Sequence, residues 1–153
     1  MNQKVVNQTT MTQTVFAKED GVSYFGFHIP YLELLGVEPL LCENDRAVTL
    51  MRLVPSLRNS RGHVHGGAIM SVLDFTLSAA GRAHDPLGVG LATIDMTTSF
   101  IDPGVTDLTF EARCLRRGKS IAFCEGEARD TQGKLIAKAS GSFKLIRVSP
   151  GGD

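Results

Sequence analysis

The chain has 153 residues, room for one ordinary domain and little more. Hydrophobic residues at 42% and charged residues at 21% are enough for a normal core and exclude wholesale disorder. Sixteen basic side chains against sixteen acidic ones leave no net field that would draw nucleic acid or a membrane surface, so neither is expected as a partner. The three cysteines (Cys42, Cys114 and Cys124) form no close pair in sequence; they give neither a disulfide framework nor zinc-ligand spacing, and suit a reducing, cytoplasmic setting.

In chain order, residues 1–22 read as a polar leader rich in Gln, Thr and Asn, with no apolar core of signal-peptide length. Residues 23–148 read as one domain and 149–153 as a tail. Residues 29–35 (IPYLELL) predict a short helix closed by Gly36. Two short strands are expected at 37–42 and 47–54, turning through Glu43, Asn44 and Asp45 and stopped by Pro55. A polar loop, 56–65, follows. Over 66–84 (GGAIMSVLDFTLSAAGRAH) strand alternation fails, and alanine, leucine and methionine favour a helix that is apolar on nearly every side and therefore buried. Ser71, Asp74, Thr76 and Ser78 interrupt this tract, so it does not span a bilayer.

From residue 89 to 148 the period becomes two. Ala92, Ile94, Met96 and Phe100 are expected on one face, as are Leu108, Phe110, Ala112 and Cys114, then Ile121 and Phe123, then Leu135, Ala137, Ala139, Phe143 and Leu145. Asp102-Pro103-Gly104, Arg117-Gly118 and Asp130 to Gly133 supply turns. About six antiparallel strands and one apolar helix predict an α+β domain whose sheet wraps the helix.

The helix start carries the chemistry. Its unpaired N–H groups and positive dipole end suit an anion or a developing oxyanion. Gly66 and Gly67 allow close approach, and no Ser, Thr, Asp or Asn precedes them to occupy those donors. Asp74 is the only ionisable side chain between His65 and Arg82, and a carboxylate on such a helix must be paired, shifted or at a wet cleft. Ser71 and Ser78, each about one turn away, can share its face. Gly66 and Asp74 are eight residues apart, about 12 Å along a helix. One aspartate cannot reach a carbonyl held at its own Gly66, so use of both in one reaction requires antiparallel helices from two subunits.

Asn59, Gly62, His65, Gly66, Gly67 and Asp74 form the pattern N-x-x-G-x-x-H-G-G-x(6)-D. With the later tracts ATIDMTTSFIDPG and RRGKSIAFCEGEARDTQGKLIAKASGSF, it resembles the hotdog-fold acyl-CoA thioesterases, in the branch typified by phenylacetate-pathway enzymes, over about residues 24–147. The resemblance implies a hotdog fold, dimers with a continuous sheet and often a dimer of dimers, an acyl-CoA substrate and no cofactor. It implies that Asp74 activates water or attacks the thioester, Gly66 polarises its carbonyl, Asn59 orients water or acyl group, and His65 supports the helix start. It places Thr93 at a hydroxyl position that some members fill with serine. Some relatives carry glutamate for Asp74 or glutamine for Asn59. Ser78 is a further candidate for positioning water, Gly67 for substrate contact, and Arg116, Arg117, Lys119 and Ser120 for the CoA phosphates.

Gly118-Lys119-Ser120 lacks the first glycine of a P-loop, Gly88-Val89-Gly90 lacks the third of a dinucleotide fingerprint, and His63-Val64-His65 has no companion ligands, so no metal is expected. Two other readings remain: a hotdog module that binds acyl-CoA without cleaving it, against which Asp74 argues, and a hotdog hydratase or dehydratase, whose histidine–aspartate motif is absent.

Overall fold

The computed structural model describes residues 21–148. The expected leader, apart from Gly21 and Val22, and the expected tail lie outside the described residues. The elements are α1 (Pro30–Leu34), β1 (Val37–Glu43), β2 (Arg46–Met51), a 3-10 turn (Pro55–Leu57), α2 (Gly66–Gly81), β3 (Val89–Phe100), β4 (Leu108–Arg117), β5 (Ile121–Arg129) and β6 (Leu135–Arg147). Pro30 opens α1 where a missing N–H costs nothing, and Gly36, at φ +66°, follows its end in the left-handed conformation. The β1–β2 turn passes through Asn44 and Asp45 at φ 50° and 59°, the hairpin geometry that these two side chains tolerate.

All strand pairs are antiparallel, in the order β1-β2-β4-β5-β6-β3, and α2 crosses the inner face chiefly against β2, β4 and β5. This is the expected hotdog arrangement. Val72, Leu73, Leu77 and Ala80 of α2 are fully buried with Phe110, Ala122, Ile136 and Phe143 of the sheet. Each large side chain so buried contributes about 1.5–3 kcal/mol. The helix comes close because β5 carries Gly126, where a Cβ would stand 2.8 Å from Leu77 Cδ1. The polar pair under the helix is satisfied: Thr49 and Thr76 share a hydrogen bond of 2.8 Å, and Thr76 Oγ1 donates to the Val72 carbonyl.

Two arginines fix the C-terminal end of α2. Arg82, 3% exposed, donates to the carbonyls of Tyr24, Phe25 and Pro86 and lies 4.5 Å over the Phe27 ring, tying residues 24–27 to the helix end. Burial lowers its affinity for a proton. Arg117, from the end of β4, donates to the Gly81 carbonyl at 2.8 Å and to Asp45 at 2.6 Å. A cation at a helix C-terminus satisfies an orphan carbonyl and complements the dipole.

Simple alternation fails in β3. A bulge between Thr93 and Asp95 inserts Ile94, so Ala92 pairs with Lys144 on the outer face while Thr93, Met96, Thr98 and Phe100 pair with the inner-face residues Phe143, Gly141, Ala139 and Ala137. Ala92 therefore does not share a face with Met96 and Phe100, which corrects the expected period-two set. β3 is also an edge strand: it is twelve residues long, pairs only with β6 among the described residues, and exposes Ile94 by 56% and Phe100 by 52%. The opposite edge, β1, is broken by a bulge and by Pro39, whereas β3 contains neither proline nor lysine to block pairing.

Candidate active site

The loop before α2 is built around Asn59. Its Oδ1 accepts from the N–H groups of Arg61 and His63, its own N–H donates to the His63 carbonyl, and Gly62 at φ +79° closes the turn. The Asn59 carbonyl oxygen is thus committed to shaping the loop, which leaves its NH2 group as the part that can meet a ligand. The loop is tied to the rest by Val64 N–H to the Gly104 carbonyl and His65 N–H to the Leu57 carbonyl, both at 2.8 Å.

The helix start is capped, contrary to the expectation of an empty N-cap position. His65 takes extended φ and ψ of −63° and 132°, and its Nδ1 accepts from Gly67 N–H at 2.9 Å. As acceptor, Nδ1 carries no proton in this arrangement. The residue pattern alone missed the cap because histidine is not among the usual capping residues, although its ring nitrogen is chemically equal to the task and the resemblance implied that His65 supports the helix start. The cap separates the two glycine amides: that of Gly67 is occupied, and that of Gly66 has no acceptor among the described residues. Beside Gly66 stands the Phe100 ring, whose nearest atom would lie 3.2 Å from a Cβ added there.

Two turns along, Asp74 is half-buried, and its Oδ1 accepts from Thr93 Oγ1 at 2.6 Å. Sequence reading found no partner for this carboxylate; the partner is the inward hydroxyl of β3, delivered by the bulge at Ile94. The helical serines do not join it. Ser71 Oγ donates to the Gly67 carbonyl and meets Tyr31 Oη, while Ser78 Oγ donates to the Phe75 carbonyl. Gly66, Gly67, Met70, Ser71, Asp74 and Ser78 form the incompletely buried stripe of α2.

The basic turn divides. Arg117 is held against Gly81 and Asp45 with its side chain 19% exposed, a structural post, which removes it from the free phosphate ligands. Arg116, Lys119 and Ser120 are exposed, and the first two have no ion-pair partner among the described residues. The turn borders a polar cleft of about 360 Å³ lined in part by His84, Lys119 and Arg147. Burial and the nearby Arg117 lower the His84 pKa. Among the described residues there is no cluster of three or more histidine, cysteine or acidic side chains able to hold a metal, and no helix long and apolar enough to cross a membrane.

Residues 61–137, a span that includes His65, Gly66, Asp74 and Thr93, match the family model of the thioesterase superfamily. The chain belongs to that superfamily. A *Saccharolobus solfataricus* protein named a "putative esterase" is 29% identical over 137 residues, covering 89% of this chain and 91% of that one. Among solved structures, a conserved *Pseudomonas aeruginosa* protein is 28% identical, with a TM-score of 0.74 over 78% of this chain and 95% of its own. The *E. coli* PaaI protein from the phenylacetic acid degradation operon, at 23% identity, shares the fold with a TM-score of 0.71 over 78% and 86%. Membership in the superfamily supports thioester hydrolysis as the class of reaction.

Proposed function

We propose that the protein hydrolyses an acyl-CoA thioester to the free carboxylic acid and CoA, at two equal sites of a homodimer, each built from the Gly66 amide of one protomer and Asp74 of the other. One observation carries this reading: Thr93 holds a half-exposed carboxylate beside an open strand edge, eight residues from an unused amide on the same helix. Pairing β3 with β3 of a second copy would continue the sheet and lay the two α2 stripes against each other in opposite directions. Each Asp74 would then face the partner's Gly66.

The chemistry needs little else, because a thioester is an activated acyl donor. The carbonyl oxygen accepts from Gly66 N–H, and charge that develops on it as water adds is stabilised there. Asp74 removes the proton of the attacking water, with Thr93 fixing the orientation of the carboxylate. Collapse of the tetrahedral intermediate breaks the C–S bond, and the departing CoA thiolate takes the proton back. Direct attack by Asp74 uses the same groups through an acyl-carboxylate anhydride that water then opens. The Asn59 NH2 group is proposed to orient water or acyl oxygen, and Arg116, Lys119 and Ser120 to meet the CoA phosphates.

A thiol-release assay over a panel of acyl-CoAs tests the proposal. The wild-type protein is expected to release thiol, and Asp74→Asn, which keeps an acceptor for Thr93, to be slowed by about 10²–10⁴ while the protein still elutes as a dimer. Equal turnover by the variant would remove Asp74 from the mechanism. Binding without turnover would make the protein an acyl-CoA-binding module, and a change in enoyl-CoA absorbance without thiol release would make it a hydratase.

A further inference from the structure

Two of the three cysteines are ten residues apart in sequence but face each other in the sheet. Cys114 of β4 and Cys124 of β5 are direct cross-strand partners, both unoxidised, and both turn toward the inner face. The Cys114 N–H donates to the Asp45 carbonyl, on the β2 side of the strand. Its backbone groups therefore point away from β5, and Cys114 and Cys124 form a non-hydrogen-bonded pair, the register at which opposite Cα atoms lie about 4.5 Å apart and side chains are closest. That separation falls within the range that a disulfide spans without backbone movement.

The two sulfurs differ in access. Cys124 is 1% exposed, and its Sγ would stand 3.1 Å from a Cβ added at Gly81, so it is pressed against the end of the helix. Burial and the neighbouring Cys114 push its thiol well above the usual range. Cys114 is only half-buried, beside the bulge that carries the exposed Leu115. Cys42 lies elsewhere, its Sγ directed at the Ala79 carbonyl.

We infer that Cys114 and Cys124 are a dithiol modification site, oxidised by hydrogen peroxide to an intramolecular disulfide bridging β4 and β5. The Cys114 sulfur attacks the peroxide, breaking the O–O bond, taking one oxygen as sulfenic acid and releasing water. The Cys124 sulfur then displaces that oxygen, forming the S–S bond and a second water, so two thiols lose two electrons and two protons as the peroxide is reduced. The partner sulfur is already opposite, so oxidation stops at the disulfide instead of climbing to sulfinic acid.

The test treats the full chain with hydrogen peroxide, quenches with catalase, counts thiols in denaturant and maps peptides without reduction. The wild-type protein is expected to lose two of its three thiols, to recover both with dithiothreitol, and to yield a linked peptide containing Cys114 and Cys124. Cys42→Ser is expected to form the same link, and Cys114→Ser to lose thiol at least about 10-fold more slowly, since the accessible sulfur is gone. Unchanged thiols, a dithiothreitol-resistant gain of two oxygens on Cys114, or a link through Cys42 would each overturn the inference. If Cys114→Ser does not fold, the wild-type and Cys42→Ser peptide maps decide alone.

Discussion

Gly66 can be stripped of its N–H with little other change. It is the first residue of α2, the position where proline is favoured, and the preceding His65 already has ψ 132°, as a residue before proline prefers. Gly66→Pro therefore deletes the donor and leaves the helix and its His65 cap in place. Loss of one oxyanion donor costs about 10²–10³ in kcat, or about 2.7–4 kcal/mol. The added carbons also meet the Phe100 ring, so Gly66→Ala is the steric control: its Cβ would lie 3.2 Å from a ring that is 52% exposed and free to give way. That displacement costs under about 1 kcal/mol, which keeps the control within about fivefold of wild type. The assay is thiol release at saturating acyl-CoA, followed by unfolding and refolding of Gly66→Pro mixed with Asp74→Asn. Random pairing makes half the dimers mixed, and each mixed dimer has one of its two composite sites intact, so about a quarter of wild-type activity should return. Parity of Gly66→Pro with Gly66→Ala would refute the role of the amide, and a mixture that stays inactive would refute the shared site.

Three further outcomes are expected. Thr93→Val, nearly isosteric, removes a hydrogen bond to a charged group and should lower kcat by about 10-fold, well short of the loss in Asp74→Asn, with Thr93→Ser close to wild type; an equal loss for Thr93→Val and Asp74→Asn would contradict this order. Arg117→Met should cost about 1–2 kcal/mol, seen as a fall of about 2–8 °C in Tm, with KM for acyl-CoA little changed; a large rise in KM at constant Tm would make Arg117 a phosphate ligand. Burial pushes the Cys42 thiol up to about 11 from 9.0, so folding favours the neutral form: this contribution is complete below pH 9 and is lost as pH rises through 11. Its ceiling is about 2.7 kcal/mol. Urea midpoints at pH 8 and pH 10.5 should therefore diverge less in Cys42→Ala than in the wild-type protein.

Much of the architecture could be read from residue patterns because its signals are local. The change from helical to alternating period, the prolines and glycines at turns and the all-round apolarity of 66–81 are each set within a few residues. What escaped was set between distant segments. Thr93 reaches Asp74 only because an extra residue in β3 turns it inward, and no local propensity marks Ile94 as that residue. Arg82 stands near the end of the tract expected to be helical with nothing local to mark its partners, yet it is buried under carbonyls from residues 24, 25 and 86. Arg117 and Lys119 are near neighbours in a basic turn, but only the first has a helix carbonyl within reach. Cys114 and Cys124 became neighbours through strand register alone.

The added residue in β3 makes the strand two half-ribbons of opposite parity. Removing Ile94 would make Thr93 and Asp95 consecutive residues opposite Phe143 and Ser142, so the ladder would run unbroken and every β3 side chain would keep its face. Thr93 would stay turned toward Asp74 and Phe100 toward Gly66, and only the local kink would be lost. A relative without the bulged residue can therefore keep the same constellation, and an alignment with it that leaves no gap at Ile94 would misassign which β3 side chains face the helix.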